Sequence, residues 1–229
     1  MTDELPPAGQ SPIQAWSRGH ALGMLLSVGA CQSWHAAWPS AVLAAPSCLW
    51  FIAKSGRAWT PSGRFGLANA VTSLRLMLVL ALTAPPAWLS TRSFVLLTVG
   101  ILSLDFVDGW LARARADSSA FGAHFDMETD ALLVLVVTLR LALGQGYPAW
   151  VLSAGLLRYV YVLSLWFVPG TGREAPRSLL GRYAFLILML GLIGGLVAHG
   201  VYGSLCVGLG TLAVSISFAR SFYFSHSAS

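Results

Sequence analysis

Long apolar stretches separated by short polar breaks dominate the chain from Leu67 onward. Each is long enough to form a helix that crosses a membrane. The six stretches are 67–84, 93–115, 121–143, 149–168, 182–199 and 201–222. Proline and glycine mark the breaks, as at Pro85-Pro86. The pattern predicts a bundle of six transmembrane helices.

A less regular apolar region, 19–53, precedes these stretches and is broken near Pro39. Its first half is barely long enough to span a membrane and its second half is short. We expect two further helices or a re-entrant hairpin there. The expected division is an N-terminal tail with extra hydrophobic segments at 1–66, a six-helix domain at 67–222 and a C-terminal tail at 223–229.

Composition supports an all-α integral membrane protein. Of the 229 residues 56% are apolar and only 10% are charged, whereas about a quarter are charged in a typical soluble domain. The three cysteines lie in apolar stretches and suggest neither a disulfide framework nor a zinc site. The net charge of +5 is modest, so the sequence does not indicate a nucleic-acid partner.

The distribution of basic residues predicts the orientation in the bilayer. They concentrate after the second and fourth stretches and at both ends of the six-stretch unit: Lys54, Arg57, Arg64, Arg113, Arg115, Arg173, Arg177, Arg182 and Arg220. The opposite loops hold only Arg92, apart from Arg140 inside the third stretch. Because basic loops stay on the cytoplasmic side, we expect a multi-pass protein with both ends of the unit in the cytoplasm. In a prokaryote this would be the inner or plasma membrane.

Four carboxylates interrupt the apolar pattern. Asp105 and Asp108 share one helix face, and Asp126 and Asp130 share a face of the next stretch, whereas Glu128 points away. An acidic side chain at membrane depth costs roughly 2.5–3.5 kcal/mol, so a bound cation is expected. Carboxylate oxygens without cysteine or histidine suit Mg²⁺ or Mn²⁺. Four of them could bridge two ions that clamp a diphosphate, in a site that faces the cytoplasm.

The other residues of this run suit a phosphate ligand. Gly109 and Ala112 have small side chains, so a bulky ligand can come close to the backbone of their helix. Gly122 leaves similar space for the ligand on the facing helix. Arg113 follows at the membrane surface, where a guanidinium can bind phosphate through two hydrogen bonds. Buried ion pairs with Arg75 and Arg158, or an ion or proton pathway, would otherwise explain the acids equally well. The spacing favours the metal site.

The run from Asp105 to Asp130 resembles the signature of the CDP-alcohol phosphotransferase family. It reads Asp-x2-Asp-Gly-x2-Ala-Arg-x8-Gly-x3-Asp-x3-Asp, with eight fixed positions. The stretch Asn69-x-x-Thr72-x-x-Arg75 is similar to one that opens the first helix in that family, although Ala68 stands where many members have proline.

The resemblance implies a membrane enzyme, commonly a homodimer, that releases CMP from a CDP-linked donor. It implies that Asp105, Asp108 and Asp126 are metal ligands. Asp130 would be a metal-side carboxylate that also deprotonates the acceptor hydroxyl. Asp105, Gly109, Ala112, Arg113 and Gly122 would contact the CDP moiety.

The third cytoplasmic loop, at 173–182, contains residues that could recognise the acceptor. Its Arg173, Arg177 and Arg182 either follow the charge bias and contact anionic lipids, or bind a phosphorylated acceptor such as glycerol 3-phosphate or an inositol phosphate. Gly181-Arg182 resembles the Gly-Lys of members that use such acceptors. Arg158 resembles a basic residue of the family's fourth helix.

We therefore expect a phosphatidyltransferase of phospholipid synthesis that uses CDP-diacylglycerol and a polar alcohol. A CDP-aminoalcohol donor with diacylglycerol as acceptor is the alternative within the family. A cation- or proton-coupled transporter that uses the same acids is the alternative from another class, and it predicts flux without CMP release. An inactive relative with a binding role is disfavoured because no signature position is missing.

Overall fold

The structure, a computed structural model, describes residues 12–114, 119–167, 179–198 and 200–226. Within these ranges the chain is helical and contains no strand, which confirms the all-α prediction. The α-helices are α1 (Pro12–Ser33), α2 (Trp38–Ser55), α3 (Leu67–Leu82), α4 (Thr91–Ala114), α5 (Ala120–Leu139), α6 (Leu152–Phe167), α7 (Leu179–Val197) and α8 (Gly200–His226).

Helices α3 to α8 follow the six predicted stretches, with ends that differ by a few residues. The third stretch is longer than α5 because it continues as a π-helical turn, Arg140–Gly144. The fourth begins with a 3₁₀ turn, Ala149–Val151, ahead of α6. The apolar stretches therefore located the helices, while changes in helix type set some of their exact ends.

The N-terminal region forms two helices, an arrangement that fits both expected alternatives, so the choice between two crossings and a re-entrant hairpin stays a prediction. Helix α1 begins at Pro12, well before the apolar region that starts at Gly19. The early turns are helical although Ser17 and His20 are polar, because both side chains are buried against other helices. The N-terminal helices pack on the rest of the chain, and α1 contacts α2, α5 and α6.

Two of the described helices are both long and apolar enough to cross a membrane, at Leu180–Val197 and Gly200–Tyr223. Helix α3 is apolar but short, with 16 residues. Helices α4 and α5 carry the acidic residues of the signature. The six crossings predicted from the sequence therefore stay a prediction.

Helices α7 and α8 approach each other closely through glycines. A Cβ atom built on Gly191 would overlap the backbone oxygen of Cys206. One built on Gly210 would lie 2.9 Å from Cα of Leu188. Small residues at such contacts let helix backbones pack directly, as is common between membrane helices.

Helix α5 lies at the centre of the fold and contacts α1, α2, α3, α6 and α7. Every residue from 131 to 139 is buried, so its second half is enclosed on all sides. Beyond it, Arg140 donates from Nη2 to the backbone oxygen of Leu89 at 2.9 Å and lies over the Phe94 ring at 5.3 Å. These contacts join the far end of α5 to the start of α4.

Candidate functional site

Three aspartates from two helices converge at one place. Asp105 comes from α4, and Asp126 and Asp130 come from successive turns of α5, where a spacing of four places them on one face. One carboxylate oxygen from each lies within 4.8 Å of the other two. The three side chains remain 28%, 34% and 22% exposed, respectively. The cluster is thus partly open to ligands.

The guanidinium of Arg75 lies between these three carboxylates. Its Nη1 atom is 2.6 Å from Asp126 Oδ1 and 3.2 Å from Asp105 Oδ1, and its Nη2 donates to Asp130 Oδ1. Arg75 itself is completely buried. A positive charge is therefore stabilised at the point where the carboxylates meet.

From the sequence alone, Arg75 was a possible ion-pair partner of the acids and was not predicted to belong to the site. The sequence feature that could have placed Arg75 in the site is its spacing from Asn69 and Thr72. Positions three apart share a helix face, and all three side chains are buried polar groups on α3. Buried polar groups need partners, and here the partners of the arginine are the aspartates.

Gly122 packs against Asn69 at the start of α5. A Cβ atom built there would lie 2.8 Å from Asn69 Oδ1. Asn69 is held in place because its amide donates to the backbone oxygens of Phe65 at 2.6 Å and Trp59 at 3.1 Å. A side chain at position 122 would displace this asparagine. Packing against Asn69 therefore explains why position 122 is a glycine, in addition to its predicted contact with CDP.

Several predicted site residues cannot be placed in the same detail. Asp108, Gly109, Ala112 and Arg113 belong to the last turns of α4, and Asp108 follows Asp105 at a spacing that shares a helix face. The side chains of Asp108, Ala112 and Arg113 lie outside what the structure describes. Arg173 and Arg177 lie outside the described residues altogether.

A groove between α4 and α7 opens beside the cluster. Its cavity of about 270 Å³ is lined by Asp105 and Arg182 together with mainly apolar side chains. The others are Leu102, Phe106, Tyr183, Phe185 and Leu186. The groove thus combines one acidic group, one basic group and an apolar wall, which suits a ligand with a charged head and an apolar body.

Glu128 belongs to a different cluster, on the other side of α5. Its side chain is buried, and its Oε1 lies 2.9 Å from Arg158 Nη2 and 3.1 Å from Ser17 Oγ. As expected, Glu128 is not among the grouped carboxylates. The ion pair of Arg158 is with Glu128, and among the described residues Arg158 forms no ion pair with the three aspartates.

The residues fit a hard divalent cation. The donors are carboxylate oxygens, which Mg²⁺ and Mn²⁺ prefer, and they lie close enough together to share one ion. The guanidinium of Arg75 already interacts with all three aspartates, so this cluster attracts positive charge. Among the residues whose side chains the structure describes, Asp105, Asp126 and Asp130 could hold such an ion.

Comparisons with known proteins identify the family. No solved structure matches the chain. The family model for CDP-alcohol phosphatidyltransferase matches residues 65–219, a range that contains Arg75 and all four signature aspartates. This family comprises transferases of phosphate-containing groups in phospholipid biosynthesis, and they are typically metal-dependent. With two apolar helices in addition, membership indicates a membrane protein: the chain belongs to the CDP-alcohol phosphatidyltransferase family.

Proposed function

We propose that the protein transfers a phosphatidyl group from CDP-diacylglycerol to a polar alcohol and releases CMP. The observation that carries this proposal is the convergence of Asp105, Asp126 and Asp130 beside an apolar groove. Carboxylates alone would suit many metal-dependent reactions. The groove adds a place for acyl chains next to the reacting phosphates, as a lipid-linked donor requires.

Asp105, Asp108, Asp126 and Asp130 would hold one or two Mg²⁺ or Mn²⁺ ions. When bound, the metal neutralises the diphosphate and stabilises the charge on the departing CMP. Asp105, Gly109, Ala112, Arg113 and Gly122 contact the CDP moiety. These residues orient the donor so that its β-phosphorus faces the acceptor.

Asp130 acts as the general base. Its carboxylate accepts the proton of the acceptor hydroxyl while that oxygen forms a bond to the β-phosphorus of the donor. The bond between this phosphorus and the bridging oxygen breaks, and CMP leaves with the electron pair. Asp130 is suited to this role because its side chain is 22% exposed and can therefore meet an acceptor. A base must lie within hydrogen-bond reach of the proton that it removes.

Arg182 supports an anionic acceptor or phosphate group. It lines the groove that Asp105 also lines, at the start of α7. We propose that Arg182, with Arg173 and Arg177, binds the negative charge of the acceptor. Arg158 remains a predicted acceptor contact, with its guanidinium paired to Glu128 and its side chain 19% exposed.

We further propose a domain organisation, a membrane topology and an oligomeric state for the protein. Residues 67–222 form the catalytic domain of six membrane-crossing helices, 1–66 precede it and 223–229 follow it. The protein crosses the bilayer several times, its site faces the cytoplasm, and two copies form a homodimer.

The test is CMP release by purified protein in lipid with Mg²⁺ or Mn²⁺. CDP-diacylglycerol is offered with a panel of polar alcohols. We expect CMP with one acceptor, loss of this activity on chelation of the metal, and a fall of at least about 10³-fold in Asp130→Asn, since that variant lacks the base. CDP-donor binding by Asp130→Asn should largely remain, whereas Asp105→Asn should weaken binding of both the metal and the donor.

Other outcomes would point elsewhere. Full turnover by Asp130→Asn would refute the assignment of the base. CMP release only from a CDP-aminoalcohol with diacylglycerol would identify the other branch of the family. Cation or proton flux without CMP release would identify a transporter.

A further inference from the structure

We infer that the N-terminal helices α1 and α2, which precede the family match at 65–219, position the metal-binding face of α5. The inference rests on the proposed function only where it concerns the metal and turnover. Ser17, Glu128 and the backbone of Trp59 are the positioning groups. They act through the aspartates, and none of them belongs to the aspartate cluster.

The first contact joins three helices at a single atom. Oε1 of Glu128 on α5 accepts from Ser17 Oγ of α1 at 3.1 Å and from Arg158 Nη2 of α6 at 2.9 Å. Glu128 is only 2% exposed, so water does not readily replace these partners. A buried carboxylate requires such partners because an unpaired one is costly. The contact therefore constrains the rotation of α5.

Rotation of α5 about its axis would move the site. Glu128 lies midway between Asp126 and Asp130, two residues from each, and projects from the other side of the same helix turn. Because a helix turn is rigid, an angular shift at Glu128 appears at both aspartates. Mg²⁺ demands near-ideal ligand geometry, so a small shift should weaken metal binding.

The partner helix is itself held firmly. Trp16 Nε1 donates to the backbone oxygen of Ser47 at 3.1 Å, and His20 Nδ1 lies 2.8 Å from Ser47 Oγ. The Trp16 ring stacks on Phe51 with centroids 3.8 Å apart. These contacts join α1 to α2 on either side of Ser17, so Ser17 is presented by a helix pair and not by a single loosely packed helix.

The second contact lies at the N-terminus of α5. Ser119 caps this helix by accepting from the Gly122 backbone N–H at 3.0 Å, and its hydroxyl donates to the backbone oxygen of Trp59 at 2.7 Å. The same oxygen accepts from the Asn69 amide at 3.1 Å. Trp59 in turn donates from its indole nitrogen to the backbone oxygen of Ile52 at 2.8 Å. The 3₁₀ turn Gly56–Trp59, which directly follows α2, therefore fixes the first turn of α5, while α1 contacts α5 two turns later, at Glu128.

The experiment compares two serines of α1 in the full chain, reconstituted in lipid nanodiscs. Ser17→Ala removes the bond to Glu128. Ser27→Ala is the matched control, because Ser27 is equally buried but donates to Met24 in its own helix at 2.7 Å. Mn²⁺ binding is measured by titration with electron paramagnetic resonance. We expect about 3- to 10-fold weaker binding in Ser17→Ala, no change in Ser27→Ala, and recovery in Ser17→Thr, which keeps the hydroxyl.

A readout without metal accompanies this titration. Hydrogen–deuterium exchange of the backbone amides of residues 122–130 should be faster in Ser17→Ala than in Ser27→Ala, and the difference should be confined to α5 and its contacts instead of extending over all helices. In turnover assays at saturating metal, kcat should fall in Ser17→Ala while the donor KM stays within about twofold, since the groove beside Asp105 does not contain Ser17.

Equal Mn²⁺ affinity and equal hydrogen–deuterium exchange in the Ser17→Ala and Ser27→Ala variants would overturn the inference. Wild-type protein that neither binds Mn²⁺ nor releases CMP would refute the proposed function. The exchange comparison would still decide, in that event, whether α1 positions α5.

Discussion

At the scale of single residues, Arg75 determines the electrostatics of the cluster. Its buried guanidinium interacts with Asp105, Asp126 and Asp130 at once. Three carboxylates held this close would repel one another without a positive partner. Arg75 therefore keeps the aspartates together in the metal-free protein, and a divalent cation would take over part of this role when it binds.

This gives a testable prediction for Arg75→Met, which preserves approximate volume but removes the charge. Without divalent cations the variant should lose about 1–3 kcal/mol of stability, because the grouped carboxylates lack their partner. Saturating Mg²⁺ should restore most of that loss and should stabilise the variant more than the wild type. Thermal unfolding of the detergent-solubilised protein, with and without Mg²⁺, measures both effects.

Arg92→Met is the control for this comparison, because Arg92 is an exposed arginine in the first turn of α4. It should melt like the wild type in both conditions. The same behaviour from Arg75→Met would show that Arg75 does not balance the charge of the aspartates.

At the scale of helices, the sequence was most informative where spacing alone decides geometry. Asp126 and Asp130 are four residues apart on one helix, so their common face followed directly from helix periodicity. The bond between Ser17 and Glu128 could not be predicted in that way, because the two residues are 111 positions apart. Both are polar residues inside apolar surroundings, and only the packing of α1 on α5 reveals that they are partners.

The contact between α7 and α8 yields a prediction at this scale. Gly191→Ala should destabilise the protein by about 1–3 kcal/mol, because the added methyl group meets the backbone oxygen of Cys206 and backbone cannot yield as a flexible side chain does. Thermal unfolding in detergent measures the loss.

Gly100→Ala on α4 is the matched helical control. A Cβ atom there has nothing within 4 Å, so the variant should be neutral or more stable by about 0.5–1 kcal/mol. Equal stability of the two variants would show that α7 and α8 do not depend on this close approach.

At the scale of the whole molecule, the apolar pattern predicted the positions of the helices but not how they are assembled. Six stretches and two N-terminal segments correspond to α1–α8. The central place of α5 was not predicted, because its contacts with α1, α2, α3, α6 and α7 are all tertiary. The start of α1 at Pro12 was not predicted for a similar reason, because polar residues of its early turns have partners in other helices, as Ser17 has in Glu128 and His20 in Ser47.

The proposed orientation predicts an even number of crossings. Epitope tags at the N- and C-termini should lie on the same, cytoplasmic side, and a tag inserted near Trp88 should lie on the other side. Trp88 is 83% exposed in the connection between α3 and α4, so an insertion there should be tolerated. Protease protection in sealed inside-out vesicles reports each tag. Terminal tags on opposite sides would contradict the topology.

The bond from Arg140 to Leu89 has a mechanical consequence. It joins the connection just before α4 to the turn just after α5, at the end remote from the aspartates, so we expect relative tilting of the two helices to pivot there. Asp126 lies fourteen residues from Arg140, which is about 21 Å along a helix. A tilt of about 3° around that pivot would move its carboxylate by about 1 Å. Such a tilt would change the distance between Asp105 on α4 and the aspartates of α5, so we expect metal binding at the proposed site to be accompanied by tilting of these helices, while the enclosed second half of α5 stays packed.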